Sequence, residues 1–452
     1  MRLAVPIVIA RSGIMLMTTA DIIMLGHFSS QELAYQSIGL SIAMPLLVIG
    51  LGLLSGTLVM CANLFGKGHF SECGVVWRRS LPYATFLGMI GLLICLFGPS
   101  ILDMARQSSS LSVHGGDVIR ITGYGMPAFM IMLTTAFFLE GIKRPAPWAI
   151  LILVANVLNV FLNWLLIFGS NDFPEMGAIG AAWATTISRW FIAITLVVYV
   201  LNMPGHKLFA VRGGLFNAWH SWRRQRRIGY AISLGAGADS CAFAALGIFA
   251  GWLGPLSAAA FALSFNLFTM IFMITLGIGT ATTVSVGFAH GREDYGGVAF
   301  AGWTGLVANT FVMLVVGMGL ITGTDMVASL FTDDPSLTAI AIPMVSFLAF
   351  ILVFDGGQSV IANALRGQQD IWVPCTIQIV SYFFVMLPTA YFLAFRINHG
   401  TMGLVESMLI ASLVAGSLLT YRFHTVTTAK RAIQSTNLIS PRCDDTLKIP
   451  SS

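Results

Sequence analysis

Twelve apolar stretches, each long enough to cross a lipid bilayer, constrain this 452-residue chain more than any other feature. A helix needs about 20 mostly apolar residues to span the hydrocarbon core, and a helix satisfies its own backbone hydrogen bonds there. Only 10% of the residues are charged, which is too few to cover a soluble fold of this size. The predicted stretches are 3–25, 35–65, 80–103, 118–141, 147–169, 177–202, 228–253, 257–289, 297–322, 338–365, 371–395 and 402–422. The sequence therefore predicts an all-α membrane protein.

The twelve stretches form two groups of six, separated by a basic segment. We predict an N-terminal lobe over 1–202, a linker over 203–227, a C-terminal lobe over 228–422 and a polar, disordered tail over 423–452. The segment GLGLLSGTLVMCANLFGKG, which ends at Gly68, resembles LGIGTATTVSVGFAHGRE, which ends at Glu293. Such a repeat of six helices preserves orientation, so we expect the lobes to be related by pseudo-two-fold symmetry, with a cavity between them.

Basic residues are concentrated in alternate loops between the predicted helices. The other set of loops is mainly acidic, and cytoplasmic loops carry the excess of Lys and Arg in membrane proteins. This bias predicts that both termini and the linker are cytoplasmic, in a multi-pass protein of the plasma (bacterial inner) membrane. It also accounts for the net charge of +5 without a nucleic-acid partner. The basic loop residues are Lys67, Arg78, Arg79, Lys143, Arg144, Arg223, Arg224, Arg226, Arg227, Arg292 and Arg366.

Among the acidic residues in the predicted membrane helices, three are candidate functional residues: Asp21, Asp239 and Asp355. A charged side chain is costly there and commonly marks an ion or substrate pathway. Asp239 and Asp355 are each about 11 residues from the cytoplasmic end of their helices, which corresponds to a depth of about 16 Å. Two carboxylates at equal depth in one lobe could share a sodium ion or hold a proton. Asp21 belongs to the other lobe and is expected to form a separate site; the alternative for each residue is a purely structural role.

Other polar residues in the predicted helices could support these sites. Asn159 and Asn163 share one face of helix 5, and interhelical hydrogen bonding is an equally good account of them. Thr185 in helix 6 and Asn266 in helix 8 could add ligands to a cavity. Gln358 lies one turn after Asp355 and could line the same pocket.

The chain contains no motif for an enzyme or an ATP-driven pump. It lacks the phosphate-binding sequence GxxxxGK[ST], the G-x-S-x-G elbow and the zinc-binding HExxH. Its six cysteines have neither disulfide-framework nor metal-ligand spacing. We therefore predict no cofactor and no enzymatic activity, and an ion gradient is the expected energy source.

Six segments, in order along the chain, resemble the multidrug and toxic compound extrusion (MATE) family in its NorM-like branch. The resemblance covers nearly all of residues 1–422 and implies a two-lobed bundle of twelve helices with a central cleft. It also implies antiport of sodium or protons against small organic, often cationic, compounds. The segments are ADIIMLG (20–26), FLEGIKRPAP (138–147), ANVLNVFLNWLLIFG (155–169), MGAIGAAWATTISRW (176–190), FAHGRED (288–294) and ALRGQQD (364–370).

The resemblance also implies roles for individual residues. Asp21 and Asp355 fall on acidic positions of the family, and Asp239 falls where NorM-like members carry glutamate. Pro6 falls on a proline associated with bending of helix 1, so it is a candidate hinge. Asn159 and Asn163 match the family pattern N-x-x-x-[ND] in helix 5, and Thr185 matches the threonine of the pattern GAAxAT in helix 6.

The expected function is therefore export of small organic, cationic, drug-like compounds by alternating access of the two lobes, coupled to sodium or protons. The alternative is a flippase for a lipid-linked precursor, which would need a strongly cationic cavity for a pyrophosphate headgroup. The intramembrane charges are instead mainly acidic, with Arg11 and Arg189 opposing them. The expected partners are small organic substrates and membrane lipids, and a closed twelve-helix unit is expected to work as a monomer.

Overall fold

The described part of the chain is a bundle of long, apolar helices. The computed structural model describes residues 3–104, 110–169, 174–214, 222–324 and 335–439, and no strand occurs within these ranges. Eleven helices in them are long and apolar enough to cross a membrane, and one bent pair makes a twelfth. The predicted all-α membrane fold is confirmed.

The spans are labelled α1 to α12 in chain order. The N-terminal lobe consists of α1 (Ala4–Phe28), α2 (Gln31–Gly66), α3 (Phe70–Leu96), α4 (Leu111–Tyr124 with Met126–Gly141), α5 (Ala146–Ile167) and α6 (Gly177–Asn202). The C-terminal lobe consists of α7 (Arg223–Trp252), α8 (Pro255–Gly291), α9 (Tyr295–Thr322), α10 (Pro335–Gly367), α11 (Trp372–Arg396) and α12 (Thr401–Ile439).

Two helices extend beyond the apolar stretches that predict them. The first, α7, begins at Arg223, inside the predicted linker, because Gln225 and Ile228 are buried there and the arginines around them are good helix formers. The second, α12, continues to Ile439 through the first part of the predicted tail. Phe423 is fully buried in this extension, with its ring 5.7 Å from that of Trp303. Hydropathy detects only the apolar part of a helix. It therefore misses polar turns at the helix end that are stabilised by tertiary contacts.

Three spans depart from regular α-helix, and each departure has a local cause. In α2, the helix is interrupted at Ser55, whose hydroxyl bonds to the carbonyl oxygen of Gly52. The two parts of α4 meet at 41° around Gly125, with Pro127 starting the second part. In α11, wide turns lie on both sides of a short α-helical segment that contains Pro388. These breaks lie in helices that flank the centre of the bundle.

The lobes contact each other through two symmetry-related helix pairs. Across the boundary, α1 packs on α8 and α2 packs on α7, while the last part of α2 also packs on α8. Two glycines allow the backbones to touch: a Cβ on Gly229 would lie 2.1 Å from the carbonyl oxygen of Leu53, and one on Gly291 would lie 2.1 Å from that of Asn63. The pairing α1–α8 and α2–α7 is what a pseudo-two-fold axis between the lobes produces.

These close contacts occur towards one end of the bundle, which we call the basic end. It carries the connections that follow α2, α4, α8 and α10, because alternate connections share a side. Lys143, in the connection after α4, places its Nζ 3.2 Å from the ring centroid of Phe288 in the other lobe. Asn63 donates its Nδ2 to the carbonyl oxygen of Gly367 across the same boundary at 3.1 Å. The lobes are therefore joined at the basic end.

Candidate functional site

A cavity of about 340 Å³ lies between the two lobes. Its walls come from α1, α2 and α4 on one side and from α7, α8, α10 and α11 on the other. Both Asp239 and Asp355 line it. The sequence places these two carboxylates at equal depth in one lobe, and the structure brings them to one cavity.

Asp355, in the middle of α10, is buried and held by three neutral donors. Ser412 of α12 donates its hydroxyl to Asp355 Oδ1 at 2.7 Å, Tyr382 of α11 does so at 3.0 Å, and Gln358 Nε2 does so at 3.2 Å. Gln358 also donates to the Tyr382 hydroxyl at 2.9 Å. Because all three donors converge on Oδ1, Oδ2 remains available for a further ligand such as a cation.

Asp239, in α7, has a different environment. Its Oδ1 is buried and no described residue donates a hydrogen bond to it. Arg366 of α10 attracts this carboxylate electrostatically, and Asp355 repels it. Arg366 itself donates to Gln378 Oε1 at 2.9 Å. A buried carboxylate oxygen without a donor is a costly arrangement that a bound cation or proton would relieve.

Asp21 forms a separate site within the N-terminal lobe. Asn163 of α5 donates to Asp21 Oδ1 at 2.6 Å, and Thr185 of α6 donates to Oδ2 at 2.6 Å. Asn159 links the two donors, since its Oδ1 accepts from Asn163 at 3.2 Å and its Nδ2 donates to Thr185 at 3.3 Å. Arg189 also attracts Asp21 electrostatically. These four residues, all predicted as site residues from the sequence, thus form one hydrogen-bonded network outside the lining of the central cavity.

A buried ion pair borders the central cavity on the N-terminal side. Arg11 of α1 donates its Nη2 to both carboxylate oxygens of Glu140 in α4, at 3.0 and 3.3 Å. Glu140 is fully buried, whereas Arg11 lines the cavity together with Phe137, whose ring centroid lies 5.2 Å from Arg11 Cζ. The sequence shows both charges in apolar helices but contains no signal that pairs positions 129 residues apart.

One of the sequence-predicted residues is placed differently. Asn266 is exposed and is not among the residues that line the central cavity, which is a correction to its predicted position. Successive residues of an α-helix are about 100° apart, and the cavity-facing stripe of α8 runs instead through Phe265, Thr269 and Phe272. Pro6 lies in the first turn of α1, where its missing N–H costs little, and α1 continues unbroken to Phe28. Its role as a hinge remains a prediction.

Several residues of the site are absent from the sequence-based prediction. Tyr382, Ser412 and Arg366 each contact or face the Asp239–Asp355 pair. Tyr and Ser are common in membrane helices, so neither is distinctive by type. Arg366 is assigned to a loop by hydropathy because it follows the last apolar residue of α10, yet it lines the cavity. Only the folded arrangement of α7, α10, α11 and α12 identifies these residues.

Two six-helix lobes that enclose a carboxylate-containing cavity define an integral membrane transporter. The chain belongs to the MatE family: the family model, described as MatE, matches residues 6–165 and 236–392. The two matched segments fall in the two lobes, which agrees with the internal repeat seen in the sequence. Members of this family are transporters and not enzymes, as the sequence predicts.

Curated relatives and solved structures agree with this assignment. The chain is 35% identical over 424 residues to a probable multidrug resistance protein NorM of Caulobacter vibrioides, covering 94% of this chain and 90% of the relative. It is 28% identical over 429 residues to a NorM protein of Mesorhizobium japonicum, covering 93% and 92%. The fold matches the crystal structure of a eukaryotic MATE transporter, AtDTX14, with a TM-score of 0.84 at 18% identity, covering 95% and 97% of the two chains.

A further match is a multidrug resistance MATE family transporter in an outward-facing conformation, with a TM-score of 0.86, 20% identity and coverage of 95% and 96%. The family match and the curated relatives establish a multi-pass membrane transporter. They lend no support to the flippase alternative. The described cavity lining also contains two carboxylates beside its two guanidinium groups, which is not the strongly cationic surface that a pyrophosphate headgroup requires.

Proposed function

We propose that this protein is a cation-coupled antiporter that exports small organic cations through the central cavity. The observation that carries the proposal is that Asp239 and Asp355 line the same inter-lobe cavity as a cluster of aromatic rings. Cation and substrate would then compete for the same negative charge. This competition supplies the differential affinity that coupling requires, because a site that binds both equally in every state would move nothing.

The aromatic cluster suits flat organic cations. Phe265, Phe268 and Phe272 follow one another along α8, with successive ring centroids 6.0 and 5.4 Å apart and the rings nearly parallel. Phe243 of α7 lies 5.3 Å from Phe265 and 5.5 Å from Tyr382. Stacked rings present π-faces that attract organic cations. Asp239 lies one helical turn before Phe243, so charge and rings are adjacent.

We further propose that α2 and α7 form the cytoplasmic gate, with the basic end of the bundle facing the cytoplasm. Gln225 of α7 accepts from Arg79 Nε at 2.8 Å and donates to Ser80 and Thr57 of the other lobe at 2.5 and 3.0 Å. Ser233, two turns further on, donates to the carbonyl oxygen of Ile49 at 3.2 Å. Opening towards the cytoplasm would have to break these bonds, which supports assigning this structure to an outward-facing state in the proposed cycle.

Adding a methyl group at Gly229 is expected to open this gate. The Gly229→Ala Cβ would meet the Leu53 carbonyl, a backbone atom that cannot rotate away. Overpacking costs about 1–3 kcal/mol, which would shift the ratio of inward-open to outward-open molecules by roughly 5- to 150-fold. Gly237→Ala is the matched control. Gly237 lies on the same helix as Gly229, but a Cβ at Gly237 would have no contact within 4 Å.

The gate can be measured by pulsed electron spin resonance between labels on exposed Lys67 and Glu293, one in each lobe at the basic end. The native Cys241 and Cys443 would be replaced by Ser. Gly229→Ala should enrich longer label–label distances, and Gly237→Ala should leave the distribution as in the parent. Equal distributions for both variants, or equal changes, would contradict the gate.

The proposed function is tested by ethidium efflux from energised cells with and without sodium and with and without a protonophore. Export should depend on one of the two ions. Asp21→Asn should alter ion dependence through its separate network, with equal expression verified by immunoblot. Efflux by wild type that ignores both ions would overturn cation coupling, and no efflux at all would overturn export of organic cations.

A further inference from the structure

Cationic side chains from both lobes surround His290 at the basic end of the bundle, away from the central cavity. Lys430, Lys67 and Arg224 are the charged groups that interact most strongly with the His290 ring. We call these four residues the basic cluster. Lys67 and Arg224 are exposed, so a ligand can reach the cluster from solution. Arg224 donates Nη2 to Gln369 Oε1, which leaves further N–H groups of its guanidinium for a ligand.

The part of the cluster in the C-terminal lobe is held by the last turns of α12. Lys430 places its Nζ 5.7 Å from the ring centroid of Tyr295, and this ring lies 6.1 Å from that of His290. Asp370 attracts Lys430 electrostatically, but it already accepts a hydrogen bond from Arg422 Nε at 2.9 Å. One carboxylate therefore serves two cations, and the cluster keeps an excess of positive charge.

Cations of the N-terminal lobe are brought against this cluster across the lobe boundary. A Cβ on Gly66 would lie 2.2 Å from the carbonyl oxygen of Phe288, so the next residue, Lys67, lies beside α8. Lys143 and Arg292, one from each lobe, share the Phe288 ring, with Nζ at 3.2 Å and Cζ at 5.6 Å from its centroid. Burial, and then Arg292, lower the pKa of Lys143 from its usual value. Closing the basic end thus brings like charges together, which costs electrostatic energy.

We propose that the basic cluster binds a phosphate group and that the bound phosphate holds the basic end closed. Lys and Arg are the side chains that bind phosphate oxygens, through charge-assisted hydrogen bonds. Because Lys67 belongs to one lobe and Arg224 and Lys430 to the other, the complete site exists only in the closed state. A ligand that binds one state more tightly shifts the equilibrium towards it. This inference rests on the proposed gate, to which it assigns a regulatory ligand.

The phosphate group can come from solution or from the headgroup of an anionic lipid, since basic residues at the cytoplasmic surface attract both. The test places spin labels on Ser71 and Glu293, which are exposed, belong to different lobes and lie outside the basic cluster. The purified full-length protein carries Ser in place of Cys241 and Cys443. Inorganic phosphate, added at constant ionic strength against a chloride reference, should enrich the shorter label–label distances.

Two variants separate a phosphate site from a general surplus of positive charge. Lys67→Gln relieves the repulsion between the lobes, so it should enrich the shorter distances without phosphate. It also removes a ligand contact, so half-maximal closure should need roughly 10-fold more phosphate or beyond, as loss of one charged hydrogen bond predicts. Arg227→Gln is the matched control, because Arg227 is an exposed cation of α7 outside the cluster, and it should respond as the parent does. Equal phosphate responses of the two variants would overturn the site.

The source of the phosphate is identified by a second arm without inorganic phosphate. The labelled parent is measured in nanodiscs of phosphatidylcholine alone and of phosphatidylcholine mixed with phosphatidylglycerol. Closure in the mixed nanodiscs assigns the site to a lipid headgroup, and closure by inorganic phosphate in detergent assigns it to a soluble ligand. Closure in neither arm overturns the inference.

The distance measurement does not depend on transport, so the two proposals can fail separately. Ion-dependent ethidium efflux together with distances that ignore both phosphate sources would leave the proposed function standing and remove the phosphate site. Phosphate-dependent closure in a protein that exports no ethidium would remove the export of organic cations and leave the phosphate site standing.

Discussion

Replacing Asp355 by Asn will abolish ion-driven efflux while leaving the folded protein intact. Asn has the same shape, so the core around α10, α11 and α12 can stay packed. The amide has no charge to bind a cation, and at Oδ1 it offers a weaker acceptor to Ser412, Tyr382 and Gln358. Loss of charged hydrogen bonds and of the cation ligand should lower the initial efflux rate by about 100-fold or more, since 1.5–3 kcal/mol is at stake for each such bond.

Ser412→Ala is the matched control for this variant. It removes one donor but keeps the charge of Asp355 and the other two donors, so the rate should fall by less than in Asp355→Asn, at most by the roughly 10- to 100-fold that one charged hydrogen bond represents. Both variants are compared by ethidium efflux at equal expression and by ion-dependent changes in thermal stability of the purified proteins. Wild-type efflux in Asp355→Asn would remove Asp355 from the coupling mechanism. Asp239 would then be the remaining candidate for the coupling residue in this lobe, and Asp239→Asn would test it.

Replacing Arg11 by Ala will destabilise the protein more than any conservative change in the cavity wall. Glu140 is fully buried and both its oxygens bond to Arg11. Removing one partner of a buried ion pair leaves an uncompensated charge and typically costs about 3–5 kcal/mol. Glu140→Gln should cost less, because the remaining guanidinium borders a cavity, whereas Glu140 has no such outlet.

The measurement is thermal unfolding in detergent, monitored by tryptophan fluorescence. The unfolding midpoint temperature should be highest for wild type, lower for Glu140→Gln and lowest for Arg11→Ala. The double variant Arg11→Met with Glu140→Leu should recover most of the loss, because well-packed apolar residues often replace a buried pair without penalty. A free energy of unfolding for Arg11→Ala within about 0.5 kcal/mol of wild type, which is typical of surface substitutions, would show that water already screens this pair.

Some site residues are predictable because charge inside an apolar stretch is visible in one dimension. Asp21, Asp239 and Asp355 are detected in this way, and the structure places the last two in the lining of one cavity. Helical periodicity also places Asn159 and Asn163 on one face, and both reach the Asp21 network. These inferences need only the helix repeat and the cost of charge in lipid.

Other residues are not predictable, because their roles depend on how helices are rotated against each other. Asn266 is polar and lies within an apolar stretch, yet it is exposed, and the cavity face of α8 belongs to its neighbour Phe265. In lipid, a lone polar residue does not reveal which way it points. Similarly, Gln225 lies in a basic run that reads as a linker, but it joins the lobes through Arg79, Thr57 and Ser80.

The sequence by itself determined that this chain spans a membrane twelve times in two equivalent halves, because the cost of exposing polar backbone to lipid leaves no other arrangement for such stretches. It also pointed to Asp21, Asp239 and Asp355 as carboxylates in apolar helices. Only the tertiary structure decided which of them share a cavity, that Arg11 pairs with Glu140, and that the lobes touch at the basic end. Those outcomes depend on contacts between distant segments, whose geometry is set by side-chain packing between whole helices.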